Sequence, residues 1–186
     1  MSTVTMRELP LAKAFQLIEP GPVVLLTTRY REQENIMTLS WHMMMEFTPL
    51  IGVLVSGGNY SFAALKKTRE CVIAIPTVDL LDKVVGIGNC DGPAVDKFKK
   101  FKLSPAAASR VRAPLIMDCL ANIECRVVDT GWVNKYNLFV LEGVKAWIDP
   151  KRRERRTFHA NGDGTFVVDG KTRNLRRRMT KWQAII

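Results

Sequence analysis

Histidine, closely spaced cysteine and long apolar runs are scarce in this sequence of 186 residues. The two histidines are His42 and His159, and the four cysteines, at positions 71, 90, 119 and 125, form no C-x-x-C pair. Because zinc sites need such ligands in closely spaced groups, the sequence predicts no metal site. Cys71 and Cys125 lie in apolar, strand-like runs, which favours buried free thiols.

Membrane spans and secretory signals have no counterpart in the pattern of apolar residues. No apolar run approaches the roughly 18 residues that a membrane span needs, and the first ten residues lack the apolar stretch of a secretory signal. We therefore expect a cytoplasmic protein with no membrane partner. With 47% hydrophobic and 25% charged residues, the chain is long enough for one well-buried core and too short for two domains.

The net charge of +10 is concentrated near the C-terminus. Residues 1–150 contain 17 Lys+Arg against 15 Asp+Glu, a balance of +2, whereas residues 151–186 contain 11 against 3, a balance of +8. Such a basic extension attracts nucleic acid, an anionic membrane surface or an acidic protein, or is simply a solvated tail. Because no RNA-binding signature accompanies it, we predict no specific nucleic-acid partner.

The order of apolar and polar residues predicts a mainly β fold with inserted helices. Helices are predicted over residues 9–18, 60–68, 79–88 and 95–101. Strands are predicted over residues 23–28, 36–41, 50–55, 71–75, 120–128, 137–148 and 165–168, with polar connections at 29–34 and 104–113 and a tight turn at 161–164. At least six short strands with helices between them indicate an antiparallel barrel rather than a parallel sheet.

The strand that ends at Trp41 has an unusual polar character. Residues alternate between two faces, so Ile36, Thr38 and Ser40 share a face that is small and partly polar. Together with Asn35, these side chains can present amide, hydroxyl and backbone groups to a ligand, although Thr and Ser are equally common on a solvated strand face. Trp41 offers an aromatic wall for a planar ligand or, equally well, ordinary core packing.

A glycine-rich segment, Gly57-Gly-Asn-Tyr-Ser61, comes directly before a predicted helix. The free backbone N–H groups of a helix start, with the Ser61 hydroxyl, form a cradle for an anion. The same residues also serve as a plain helix cap. Lys97 is the best candidate for a cation near that anion, or is a solvated lysine on a helix face.

In order and spacing, these segments resemble the flavin reductase-like, FMN-binding split-barrel family, and its flavoredoxin branch most closely. Members carry an Asn and a Trp six residues apart, as Asn35 and Trp41 are here, and then a Ser or Thr at the helix start, matched by Ser61. A Lys in a D-K-F segment follows, matched by Lys97.

The resemblance continues toward the C-terminus. An L-E-C strand of the family is close to Ile123-Glu-Cys125, and the family's C-terminal aromatic is matched by Phe166 in preference to Phe158. The resemblance implies a six-stranded antiparallel Greek-key split β-barrel over residues 1–150. It also implies a homodimer with FMN near the subunit interface. The basic extension, residues 151–186, is then part of the same domain or packs on the dimer partner.

The resemblance also implies which residues bind FMN and what the protein does. The implied cofactor-binding residues are Asn35, Met37, Thr38, Ser40, Trp41, Ser56, Asn59, Ser61, Phe62, Lys97 and Phe166. The implied activity is that of an oxidoreductase, which takes hydride from NADH or NADPH and passes electrons to free flavin or another acceptor. No catalytic side chain is needed, because the chemistry belongs to the cofactor.

The sequence departs from the family at one position of the site. Many members have a G-D-H segment whose His lies at the flavin, where this chain has Val133-Asn-Lys-Tyr-Asn137. Asn134, Lys135 or Tyr136 fills that role, or nothing does. This departure keeps a second hypothesis open, a non-enzymatic FMN-binding electron carrier reduced by an acidic redox partner. A third is a basic adaptor in which the barrel is only a scaffold.

Overall fold

The structure is a computed structural model that describes residues 5–92 and 94–182, apart from the side chain of residue 182. Its strands are β1 (Arg7–Leu9), β2 (Val24–Tyr30), β3 (Gln33–Leu39), β4 (His42–Glu46), β5 (Leu50–Leu54), β6 (Glu70–Ile75), β7 (Pro105–Ala106), β8 (Leu115–Ile116), β9 (Ala121–Asp129), β10 (Leu138–Ile148), β11 (Phe158–Ala160) and β12 (Phe166–Val168). Its α-helices are α1 (Tyr60–Thr68), α2 (Leu81–Gly88), α3 (Lys97–Lys100) and α4 (Val133–Tyr136). Short 3-10 helices cover Leu11–Leu17, Val78–Leu80, Arg176–Arg178 and Thr180–Trp182.

One antiparallel sheet dominates the fold. Its strands follow the order β3-β2-β6-β9-β10-β5-β4, and β1 pairs with the far end of β10. The prediction of a mainly β, antiparallel, open barrel with inserted helices is confirmed, although this sheet has eight strands rather than six. The sequence pattern missed β1 because it is only three residues long. It missed β4 because a run of methionines shows no alternation of polar and apolar residues.

Several predicted boundaries differ from the structure. The strand predicted over residues 36–41 ends at Leu39, so Ser40 and Trp41 follow β3 and are not part of it. The predicted helix over residues 9–18 is a 3-10 helix, Leu11–Leu17. It starts later than predicted because Leu9 belongs to β1 and Pro10 has an extended backbone. The predicted polar connection over residues 29–34 is much shorter. Strands β2 and β3 stay paired as far as Tyr30 and Gln33, so only Arg31 and Glu32 form the turn.

Alternate residues of the central strands face two different apolar clusters. Val24 and Leu26 of β2 belong to the main core, which the sheet encloses, whereas Val23 and Leu25 belong to a second cluster with α2 and α3. This period of two is the expected pattern of a strand buried on both faces. The main core also holds the buried free thiols Cys71 and Cys125, which are direct neighbours across β6 and β9.

The chain from Arg152 to Asp169 packs on this body. Phe158 is fully buried in the second cluster, and the guanidinium of Arg152 bonds the Thr77 hydroxyl at 2.7 Å and the Asp79 carboxylate at 2.8 Å. From Gly170 to Lys181 every residue is exposed. The first part of the basic extension is therefore fastened to the sheet, and its second part lies on the surface. Among the described residues, no helix has the length and apolar character needed to cross a membrane.

The outer face of β9 holds the loop that precedes it. Glu124, the acidic residue of the Ile123-Glu-Cys125 segment, is fully buried and accepts hydrogen bonds from the backbone N–H groups of residues 109–111 and from Trp147 Nε1. Burial alone raises the pKa of this carboxyl, but these hydrogen bonds outweigh burial and leave the pKa below its usual value. The role of Glu124 is therefore to anchor this loop.

Candidate functional site

A cavity of about 320 Å³ lies at the end of β5, and we call it the candidate cavity. Its lining consists of Met37, Thr38, Leu39, Ser40, Trp41, Leu54, Ser56, Asn59, Tyr136 and Asn137. The structure thus brings together six of the predicted cofactor-binding residues, which come from β3, the chain that follows it, and the segment before α1. Leu39, Leu54, Tyr136 and Asn137 complete the lining.

Backbone hydrogen bonds at the end of β5 set the two sides of the candidate cavity. The N–H of Leu54 donates to the carbonyl of Trp41 at 3.0 Å, and the N–H of Val55 donates to the carbonyl of Asn137 at 3.0 Å. Trp41 and Asn137 are thereby held on opposite sides of this strand. The Trp41 side chain is 71% exposed, which shows that it does not pack in the core. Its indole is available to a planar ligand.

Thr38 lies in β3, and Ser40 follows the end of that strand, although both were predicted on one strand face. The Thr38 hydroxyl donates a hydrogen bond of 2.6 Å to the carbonyl of Val84 in α2, which fixes its orientation and leaves its oxygen free to accept. A Cβ at Gly88 would lie 3.5 Å from Thr38, so the end of α2 sits close beside this strand. Ser40 is exposed. The strand therefore offers hydroxyl groups beside Trp41.

The start of α1 also faces the candidate cavity. The Asn59 side chain does not cap the helix; its amide donates to the carbonyl of Ser56 at 3.3 Å. Gly57 and Gly58 have open space where a Cβ would lie. The Phe62 N–H donates to the Asn59 carbonyl at 3.0 Å. Without a side-chain cap, the N–H groups of Tyr60 and Ser61 remain available to an anion, and the helix dipole favours negative charge there. Of the two hypotheses for this segment, the anion cradle fits the geometry better than the plain cap.

Asn35 and Ser61 lie together, but behind the cavity. Asn35 Nδ2 donates a hydrogen bond of 3.0 Å to Ser61 Oγ, and the two residues are 2% and 1% exposed. Asn35 is on the opposite face of β3 from Thr38, so the strand does not present the two side chains to one edge of a ligand. Asn35 Oδ1 is buried and has no partner among the described residues.

Lys97 is buried and tied to backbone. Its Nζ donates to the carbonyl of Ile36 at 2.8 Å and to the carbonyl of Ile87 at 3.3 Å. Burial lowers the pKa of Lys97, and the nearby Cys90 and Asp91 partly oppose that effect. This lysine joins α3 to β3 and to the last turn of α2. It lies outside the lining of the candidate cavity, where we had expected a cation for an anion.

The two predicted phenylalanines also lie outside the lining. Phe62 packs edge-on against Phe139 of the main core, with 5.5 Å between ring centroids. Phe166 packs edge-on against Phe158 of the second cluster, at 6.0 Å. Spacing in the sequence does not distinguish an aromatic ring that packs on the core from one that faces a ligand.

Tyr136 is the residue that reaches the candidate cavity from the segment where the family has its His. Of the three residues that the sequence left open, neither Asn134 nor Lys135 lines the cavity. Asn137 has a left-handed backbone (φ 57°), ends α4 and directs the chain into β10. Because Asn tolerates this conformation better than most residues, an Asn directly before the apolar run that starts at Leu138 was a signal for this helix end.

Comparison with known proteins identifies the family. The sequence profile described as flavin reductase like domain matches residues 18–165. An uncharacterized protein from Archaeoglobus fulgidus is 36% identical over 112 residues, which are 60% of this chain and 63% of the relative, slightly less than two thirds of its length.

Two solved structures have the same fold. An FMN-binding domain of a flavin reductases-like enzyme from Shewanella baltica superposes with a TM-score of 0.87 at 22% identity, covering 94% of this chain and 99% of that one. Flavoredoxin of Desulfovibrio vulgaris superposes with a TM-score of 0.75 at 20% identity, covering 83% and 89%. With the profile match over most of its length, the chain belongs to the flavin reductase-like family and has its split-barrel fold.

Proposed function

We propose that this protein binds FMN in the candidate cavity and is an oxidoreductase of the flavin reductase class. It takes hydride from NADH or NADPH and passes electrons to free flavin or another acceptor. The observation that carries this proposal is the exposed Trp41 indole beside an uncapped helix start in one cavity.

The donor set of the candidate cavity fits the chemistry of FMN. Trp41 provides an aromatic plane for the flavin ring, and Thr38, Ser40 and Ser56 provide hydroxyl groups for its polar edge. The N–H groups at the start of α1 suit a phosphate. Among the described residues that line the cavity there is no carboxylate that would repel it.

The protein positions the cofactor and controls access to it. Bound FMN supplies the ability to accept a hydride and to release electrons one or two at a time. Trp41 and the hydroxyl groups of Thr38 and Ser40 hold the ring in place. Lys97 and Asn35 lie outside the lining of the cavity and act indirectly, because they hold β3 against α2, α3 and α1.

The proposal includes a homodimer in the cytoplasm. Strand β4 is an edge of the described sheet, and Trp41, Met43 and Met45 on and beside it are 71%, 51% and 48% exposed. Exposed apolar side chains on a sheet edge are typical of a surface that another chain covers. A second copy seated there would lie next to the candidate cavity. The four described cysteines are free thiols, which fits a reducing compartment.

One observation favours the electron carrier as a second candidate function. The candidate cavity contains Tyr136, and no His among its described lining residues, while residues 171–181 form an exposed basic surface suited to an acidic redox partner. Consumption of NADH or NADPH by the purified protein with added FMN tests the two. Sustained turnover supports the reductase. FMN binding with no turnover supports the carrier, and a protein that binds no FMN leaves only the basic adaptor.

A further inference from the structure

Two exposed aromatic rings, one directly before α4 and one at its last residue, stack on each other beside the candidate cavity. The ring centroids of Trp132 and Tyr136 are 5.7 Å apart with an angle of 30° between the planes. Their side chains are 52% and 47% exposed. Large rings held parallel at a protein surface present a flat apolar face, a surface on which a third planar ring gains stacking energy.

This aromatic pair is continuous with the candidate cavity. Tyr136 lines the cavity, and Trp41 lines its other side. The last residues of β5 hold both sides, since Leu54 bonds the Trp41 carbonyl and Val55 bonds the Asn137 carbonyl. A molecule that lies on the Trp132–Tyr136 pair is therefore placed at the mouth of the cavity.

The charge around α4 favours an anion. The Nζ of Lys135 lies 5.1 Å from the centroid of the Tyr136 ring, and Lys66 Nζ contacts Asn134 Oδ1 at 3.4 Å. The nearest acidic side chain along the chain, Asp129, accepts a hydrogen bond of 2.6 Å from the Gly131 N–H. None of the described residues that line the cavity is acidic. A carboxylate on an aromatic ligand beside the Tyr136 ring therefore has Lys135 within reach.

We propose that Trp132 and Tyr136 form a binding platform for a planar aromatic carboxylate at the mouth of the candidate cavity, with Lys135 binding its charge. This inference rests on the proposed function, because it identifies the class of substrate that the FMN site would meet. It gives Tyr136 a stacking role at the position where other members have a His.

The test is calorimetric titration of the FMN-supplemented protein with 1-naphthoate and with cyclohexanecarboxylate, which has the same charge but no aromatic ring. We expect 1-naphthoate to bind more tightly. Tyr136→Leu and Trp132→Leu should each weaken its binding about 2- to 10-fold, whereas Tyr136→Phe should retain it. Lys135→Gln should weaken binding less as salt is added.

The control is Tyr30→Leu, since Tyr30 is another tyrosine with a cation over its ring, Arg31 at 5.4 Å, in the β2–β3 hairpin. Equal affinity for the two carboxylates, or an equal loss in the control, would overturn the platform. Titration with FMN alone separates the two proposals. Normal FMN binding without 1-naphthoate binding refutes only the platform, and absence of FMN binding refutes both.

Discussion

The amide of Asn35 donates a hydrogen bond of 3.0 Å to the hydroxyl of Ser61 inside the protein. This contact joins the middle of β3, which leads to Trp41, to the first turn of α1, which follows the uncapped helix start. Asn35 and Ser61 are both among the ligands that the family resemblance implies. In the structure they hold in place the parts of the chain that form the candidate cavity.

Replacing Asn35 should mainly lower the free energy of unfolding, with a smaller effect on ligand binding. Asn35→Ala leaves Ser61 Oγ without its buried donor, so we expect the free energy of unfolding to fall by about 1–3 kcal/mol. Urea unfolding of Asn35→Ala, Ser61→Ala and the double variant measures the coupling between them. Additive losses would show that the two side chains do not stabilise each other.

Replacing Trp41 should weaken FMN binding without changing stability, whereas replacing Lys97 should lower stability. Trp41→Ala removes an exposed side chain, so stability should stay unchanged while FMN affinity falls about 2- to 10-fold through lost stacking. Lys97→Met removes the hydrogen bonds that Lys97 Nζ donates to two buried carbonyl groups and should lower the free energy of unfolding by about 1–3 kcal/mol. Fluorescence titration and thermal unfolding of both variants check this. A stable Lys97→Met protein would contradict the buried role of this lysine.

Glu124 should make the protein sensitive to acid. Its folded pKa lies below its unfolded value, so its stabilising effect is complete above the usual carboxyl pKa of about 4.3 and is lost as the pH falls through the folded value. Unfolding of the wild type and Glu124→Gln by urea at pH 6, 5, 4 and 3 checks this. The variant should be less stable at pH 6, and the difference should shrink toward pH 3; a constant difference would contradict it.

His42 should make stability depend on pH in a higher range than Glu124 does. Burial lowers the pKa of this imidazole, and the 2.6 Å hydrogen bond from its Nε2 to the Pro22 carbonyl only partly opposes that effect. Below a pH of about 6.5 the unfolded chain takes up a proton that the folded chain does not, so stability falls as the pH drops. His42→Gln should flatten the stability profile between pH 7 and 5. An unchanged slope there would show that His42 is not its source.

Two truncations should separate the parts of the basic extension. Removing residues 171–186 should leave a folded protein, because every residue from Gly170 to Lys181 is exposed. Removing residues 151–186 also takes away the fully buried Phe158 and should unfold the domain or lower its melting temperature steeply. Circular dichroism melting distinguishes the outcomes, and equal melting temperatures would contradict the packing of Phe158.

Short apolar runs, and the alternation of polar and apolar residues over residues 120–128, predicted most of the strands. The strands around Val24, Ile73 and Ile123 were predictable because their apolar residues fill clusters on both faces of the sheet. Strand β4 was not predictable, because its three consecutive methionines show no alternation of polar and apolar residues. Its role as a sheet edge depends on pairing with β5.

The candidate site was predictable in part. Thr38 and Trp41 lie at the end of β3, and Asn59 lies at the start of α1. Because these two elements are neighbours in the fold, the three residues line one cavity. Lys97 and Asn35 were expected to contact the ligand but lie outside the lining of the candidate cavity. Side-chain type and spacing in the sequence do not say which way a polar side chain points. The cavity side of α4 depended on the left-handed backbone at Asn137, a feature of geometry rather than of composition.

The absorbance spectrum of the purified protein from 300 to 550 nm, before and after heat release of any bound chromophore, tests the FMN site most directly. We predict flavin bands and released FMN, or, if the protein is purified without cofactor, saturable binding of added FMN that Trp41→Ala weakens. A protein that is colourless and does not bind added FMN would contradict the assignment of the candidate cavity as a flavin site.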